Sequence, residues 1–237
     1  MIPLYIGYDS RESVAYHVFC QSVLEHCSQP VAFIPLHDRM LSNFDGQQDG
    51  TNAFIFSRYL VPMLNGYDGW AMFVDGDMTV QSDLAELWAM RNDKYAAMVV
   101  KHDYKTRHYW KYVGTPMTNA NVDYPRKNWS SVVLWNCGHP ANRLLSRKFV
   151  AEAGGKMLHR FDWLRDEEIG DLPAEWNHLV LEYEDDPKAK LLHHTLGSPA
   201  IEHYSRSDPS WHRYLSKALH LEGEQPEAML KRMRRYL

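Results

Sequence analysis

Only three cysteines, Cys20, Cys27 and Cys137, occur in 237 residues. An odd, widely spaced set offers neither a zinc-ligand pattern nor a disulfide framework, and a reducing, cytosolic setting is the expectation. No run of about 18 or more apolar residues is present, so there is no candidate spanning helix. The opening MIPLYIGYDSRESVAYH lacks the basic start and long apolar run of an export signal, and none is expected. Basic excess is also missing: 26 Lys and Arg against 30 Asp and Glu give a net charge of −4, which argues against nucleic-acid binding through a broad cationic face. No internal repeat or low-complexity tract occurs. Residues 7–13 hold neither the repeated glycines of a dinucleotide fingerprint nor a lysine, so a Rossmann oxidoreductase and a nucleotidyltransferase with a basic glycine-rich loop both lose support. What remains is an ordinary globular composition, 45% hydrophobic and 24% charged, long enough to bury one core.

The chain is organised around residues 71–88, AMFVDGDMTVQSDLAELW. An apolar run, Ala71 to Val74, stops at Asp75-Gly76-Asp77, and a second strand-forming run, Met78 to Val80, follows. Side chains two apart in extended chain share a face, so Asp75 and Asp77 can address one point. Two carboxylates that close repel unless a cation lies between them, and oxygen donors suit Mg²⁺, Mn²⁺ or Ca²⁺. Gly76 lets a ligand approach the backbone. Asp83 with Glu86 forms a capping-box-like helix start ahead of Leu84, Leu87 and Trp88.

FVDGDMTVQSDLAELW resembles the Asp-x-Asp segment of family-eight retaining glycosyltransferases, the group that includes glycogenin and bacterial lipopolysaccharide galactosyltransferases. The resemblance implies that Asp75 and Asp77 hold a divalent cation, Mn²⁺ or Mg²⁺, against the diphosphate of a sugar nucleotide. It also implies a single GT-A-like α/β domain over residues 1–237. Its mixed, mostly parallel central sheet would be flanked by helices, with a Rossmann-like nucleotide-sugar half over 1–100 and an acceptor half over 101–237.

Upstream, Leu4 to Tyr8 reads as a strand, Asp9 and Glu12 as a helix start, Val14 to Cys27 as an amphipathic helix, and Val31 to Leu36 as a second strand. Strand, helix, strand is a parallel βαβ unit, with a ligand crevice at the carboxyl end of its first strand. Gly7, Tyr8 and Asp9 stand there; the resemblance makes them nucleotide contacts, and the alternative is that they end a strand and cap a helix. Residues 42–52 read as a polar loop, and Ala53 to Leu64 as a helix tolerating Pro62 near its end. Arg58 on it matches a basic residue that the family places before Asp-x-Asp, or is an arginine snorkelling from a packed helix.

Downstream, Tyr95 to Val100 is strand-like, and residues 101–128 are an aperiodic stretch rich in Tyr, His, Lys and Asn. Its rings could face an acceptor sugar or fasten a loop. Trp129 to Asn136 reads as a strand similar to the family's second central strand, with Trp129-Ser130-Ser131 in place of the usual Asn-Ala-Gly opening, and Asn142 begins a helix ended by Gly154-Gly155. By resemblance, Asp166 and Glu167 fall on the sugar's reactive face, followed by Trp176-Asn177; acidic residues early in a helix are equally what its dipole favours. His194-Thr195-Leu196-Gly197 matches the family's His-x-x-Gly, which makes His194 the third metal ligand and puts Gly197 on the diphosphate; the Lys-Pro-Trp that often follows is absent. The tail PEAMLKRMRRYL from Pro226 has the pattern of a basic amphipathic helix, able to rest on the inner face of a membrane or to dock on its own domain.

The expected activity is transfer of a sugar from a nucleotide sugar, most naturally a uridine diphosphate sugar, to a hydroxyl of a glycan or lipid-linked saccharide. Retention is implied by the family alone. The rival readings are a nucleotidyltransferase and a catalytically silent sugar or nucleotide-binding module.

Overall fold

A computed structural model describes residues 1–37 and 54–219. The polar loop at 42–52, Ala53 and the basic tail from Pro226 lie outside the described residues.

The first strand, β1 (Ile2–Gly7), pairs in parallel with β2 (Val31–Leu36) through α1 (Ser13–His26), as the βαβ pattern requires. Asp9 accepts from Arg11 N at 2.9 Å and so caps a 3-10 turn, Ser10–Glu12, leaving α1 to start at Ser13. Ala15, Val18, Phe19, Ser22 and Val23 form the buried face of α1 at helical spacing.

On the other side of β1 lies β3 (Trp70–Val74), also parallel. The sheet continues through β8 (Val132–Asn136), β5 (Ala97–Val99) and β9 (Ile169–Asp171), giving the order β2-β1-β3-β8-β5-β9 with β8 antiparallel to both neighbours. Alternation fills both faces. Ile2, Leu4, Ile6, Met72, Val74, Met98 and Leu134 pack with Phe19, Val23 and Trp176 on one side; Tyr5, Phe73, Val99, Val133 and Trp135 pack with Phe56, Tyr59 and Phe161 on the other.

A second, three-stranded sheet runs β10 (His178–Leu179), β11 (Leu191–His193), β4 (Met78–Val80), with β11 antiparallel to β4. Asp83 caps α3 (Leu84–Ala89) by accepting from Ala85 N at 2.9 Å, as the capping pattern predicts. The expected helix up to Leu64 is a 3-10 turn, Ser57–Leu60, and one short helix, α2 (Val61–Leu64). Pro62 sits in the first turn of α2, not near a helix end, because only there is its missing N–H harmless. The expected strand at 129–136 begins three residues later, behind a 3-10 turn at Trp129–Ser131. Asn142 lies inside a 3-10 stretch, Pro140–Leu144, and the helix that follows, α4 (Arg147–Glu152), is capped by Ser146; Gly155 opens α5 (Gly155–His159).

The aperiodic stretch 101–128 contains a two-residue ladder, β6 (Trp110–Lys111) with β7 (Asn119–Ala120). It is fastened from below by buried Glu182, which accepts from Arg107 N and Asn121 Nδ2 at 2.7 Å each. The last described element, α6 (Pro209–Ala218), lays Trp211, Tyr214 and Leu215 against Val18 of α1. Among the described residues no helix is long and apolar enough to cross a membrane.

Candidate active site

The carboxyl ends of β1 and β3 lie side by side, and Asp75 and Asp77 follow β3 at that edge. A Cβ at position 76 would fall onto the carbonyl oxygen of Gly7, so glycine there lets the two strand ends close up. Both acids are 8% exposed. Asp75 N donates to Ser131 O at 2.9 Å, fixing the turn onto the start of β8.

The third member comes from β11. Its register sets His193 opposite Met78 and Leu191 opposite Val80, which carries the end of β11 alongside the acids. His193 Nε2 lies 3.5 Å from Asp77 Oδ1 and 3.9 Å from Asp75 Oδ2. Among the described residues Asp75, Asp77 and His193 form the group whose donor atoms all fall within 4.8 Å of one another, as one metal ion needs.

The imidazole expected from the sequence was that of His194, and the structure corrects this by one residue. Neighbouring side chains at a strand end face opposite ways. His194 turns from the acids to Asp208, the N-cap of α6, with Nε2 3.3 Å from Asp208 Oδ2. Burial works to raise that carboxyl, but hydrogen bonds from His194, Ser210 and Thr79 outweigh it and hold it at about 2. Counting back from Gly197 selected His194; Gly197 N in fact closes a turn on His194 O at 2.8 Å, and the side chain facing the acids precedes that turn.

His193 is oriented by Asn177. The Asn177 amide nitrogen donates to Ser131 Oγ at 2.8 Å, leaving its oxygen to accept from His193 Nδ1 at 2.9 Å and Nε2 free to present a lone pair. Burial, followed by the Lys111 charge, pushes the imidazole well below its usual range, so it is neutral and able to ligate.

The acids ask for positive charge. Burial pushes Asp75 up to about 6 against the pull of Arg58 and Lys111, and burial, then Asp75, then Glu12 raise Asp77 well above the usual carboxylate range. Arg58 supplies part of the answer: Nη1 lies 2.9 Å from Asp75 Oδ1 and donates to Ser130 O at 3.0 Å, with the guanidinium held between the Phe54 and Phe73 rings. Asp77 Oδ1 is buried and accepts no hydrogen bond among the described residues. Two hard oxygen donors, a neutral imidazole and an unsatisfied buried carboxylate fit a divalent cation.

These groups line a cavity of about 110 Å³, together with Lys111, Tyr112, Tyr124, Asn128, Ser130 and Thr195. A narrow cleft shares Asp77 with it and is walled by Gly7, Asp9, Glu12, Tyr16, Phe54 and Gly76. Gly7, Asp9, Arg58, Asp75, Gly76 and Asp77 each line at least one of these two spaces. Tyr8 does not line either space; its ring packs edge-on against Tyr16 at 5.4 Å. Gly197 is likewise set back; its φ of +140° and the Tyr204 ring, 2.7 Å from where a Cβ would lie, both call for glycine there.

The expectation for Asp166 and Glu167 is also corrected. Both are exposed at the first turn of a 3-10 helix, Asp166–Glu168, where the Asp166 carboxylate, 81% exposed, pairs with Arg126. Neither lines the cavity. Sequence reasoning missed His193, Lys111 and Thr195; the doublet His193-His194 held a signal for the first but not its parity.

No protein-family model matches the chain. Protein CDI of Arabidopsis thaliana is 44% identical over 207 residues, spanning 83% of this chain and 78% of that protein. Among solved structures, the bifunctional glycosyltransferase WbbM superposes with a TM-score of 0.64 at 12% identity over 98% of this chain, which spans about half (51%) of that protein. The galactosyltransferase LgtC, solved with donor and acceptor sugar analogues, gives 0.54 at 12% identity over 95% of this chain and 98% of its own. Mouse xyloside xylosyltransferase 1 gives 0.53 at 12% over 81% and 97%. The fold is that of GT-A glycosyltransferases.

Proposed function

The chain belongs to the family of Protein CDI, and we propose for it a metal-dependent glycosyltransferase that moves a sugar from a nucleoside diphosphate donor, a uridine diphosphate sugar by preference, to a hydroxyl of a glycan or lipid-linked saccharide. One observation carries this reading. On a GT-A fold, two buried acids and an imidazole from a distant strand meet at a cavity that also holds two cationic side chains.

In this reading Asp75, Asp77 and His193 would hold Mn²⁺ or Mg²⁺, which when bound would supply positive charge for the negative charge that grows on the diphosphate as the glycosidic bond breaks. Asn177 keeps His193 in the ligating tautomer, and Arg58 offsets Asp75. In the reaction the bond from the sugar's anomeric carbon to the phosphate oxygen breaks with its electron pair going to that oxygen; the acceptor oxygen bonds to the carbon, and its proton leaves with the diphosphate. Among the described residues lining the cavity the only carboxylates are the two metal-side acids. This favours attack from the leaving-group face, with retention and no enzymic nucleophile.

The test is a panel of nucleotide sugars with Mn²⁺, following release of nucleoside diphosphate with and without chelator. Chelator-sensitive release is the expected result; binding without turnover across the panel, or pyrophosphate made from a nucleoside triphosphate, sinks the proposal.

A further inference from the structure

Lys111 is the last residue of β6, in a stretch whose sequence shows no periodicity. Its hairpin is pinned onto the loop after β11, because Tyr112 N donates to Leu196 O at 2.6 Å. This brings the Lys111 ammonium into the wall of the metal-side cavity. There Nζ donates to Thr195 Oγ1 at 2.9 Å, and Thr195 is the residue two after the ligating His193.

An ammonium has three donors, and one is accounted for by Thr195. Among the described residues Lys111 forms no ion pair within 4.0 Å, although the charges of Asp77 and Asp75 both act on it. The cavity's other cation already faces the acids: Arg58 Nη1 pairs with Asp75 and donates to Ser130 O. No lysine or arginine occurs between Gly197 and Arg206, so the loop after β11 brings no cation of its own. A half-buried lysine whose ammonium has spare donors, set across a small polar cavity from a carboxylate cluster that calls for a cation, is arranged to receive an anion from the opposite side.

On the reading of the site given above, we propose that Lys111, aimed by Thr195, binds the sugar-bearing phosphate of the nucleoside diphosphate donor. The Asp75–Asp77–His193 cluster then serves the phosphates from one side and Lys111 from the other. Two variants isolate this role. Lys111→Met removes the charge at similar length, and Thr195→Val keeps the charge but removes its aiming bond.

Binding of UDP and of UMP in the presence of Mn²⁺ is measured by quenching of tryptophan fluorescence, the chain having eight tryptophans, and Mn²⁺ alone by electron paramagnetic resonance. Lys111→Met is expected to weaken UDP roughly tenfold or more, since a charge-assisted hydrogen bond is lost, and to leave UMP within about twofold. Mn²⁺ alone should bind at least as tightly, a repelling cation having gone. Thr195→Val should weaken UDP by about threefold or more with UMP unchanged, and it decides the matter if Lys111→Met does not fold. UDP affinity unchanged in the variants overturns the assignment of Lys111 while leaving the proposed function standing. Wild-type protein that binds Mn²⁺ but no nucleoside diphosphate overturns both.

Discussion

Asn177 Oδ1 accepts from His193 Nδ1 at 2.9 Å, and this one bond decides which nitrogen of a buried, neutral imidazole faces Asp75 and Asp77. Asn177 itself is held by Ser131, at the turn that also bonds Asp75 N, so acids and imidazole are referred to a common point. Asn177→Ala is therefore expected to cost about 10- to 100-fold in Mn²⁺ affinity. Titration of Mn²⁺ by electron paramagnetic resonance checks it; unchanged affinity would remove Asn177 from the site.

The two histidines of the doublet should separate in a melting experiment. At about 100 times its dissociation constant a bound ion stabilises by about 2.7 kcal/mol, which is a rise of roughly 5–10 °C for a chain of this size. His193→Ala should abolish the Mn²⁺-dependent rise. His194→Ala should keep it, starting from a fold weakened by about 1–3 kcal/mol because buried Asp208 loses a partner.

Asp77→Asn keeps shape and removes one of two repelling charges. In chelator its melting temperature should exceed that of the wild type by a few degrees, about 2–4 °C per kcal/mol of repulsion relieved, while the Mn²⁺-dependent rise disappears. A variant less stable than wild type in chelator would show that the buried acids are not in conflict.

Acid sensitivity should come in part from His102, buried beside Tyr183, whose hydroxyl lies 2.7 Å from Nδ1. Burial, then the nearby His178, lower it to about 4. A histidine depressed in the fold stays neutral while its unfolded counterpart, near 6.5, takes up a proton. Stability is therefore whole above about pH 6.5, falls by up to about 1.4 kcal/mol per pH unit below it, and stops falling on this account once the pH drops through about 4. Urea unfolding at pH 7, 6 and 5 should show the slope, and His102→Phe should reduce it by up to about 1.4 kcal/mol per pH unit.

Much of the frame could be read along the chain because the physics there is local. The apolar run that breaks off at Asp75, the helical spacing behind Asp9 and the Asp83 cap each announce their element within a few residues. Parity across long distances could not be read: choosing between His193 and His194 takes the register of β11 on β4, which no neighbouring residue sets. Lys111 was illegible for a related reason. Its strand is two residues long, and its place at the cavity wall depends on Thr195 and Leu196. Asp166 and Glu167 show the reverse case, a local signal of acids in a first turn that serves its own helix end and its pairing with Arg126. Trp176-Asn177 was visible as a pair, but its task was not.

The ladder that sets Met78 against His193 makes the imidazole a latecomer. While the chain is being synthesised, the acids emerge early and must wait, mutually repelling, for a partner made much later. Any ion that arrives before β11 has docked meets only half a claw, and the ion that arrives afterwards clasps two remote parts of the polypeptide together. On the proposed reading, holding the ion and holding β11 in place become one task, shared by residues more than a hundred positions apart.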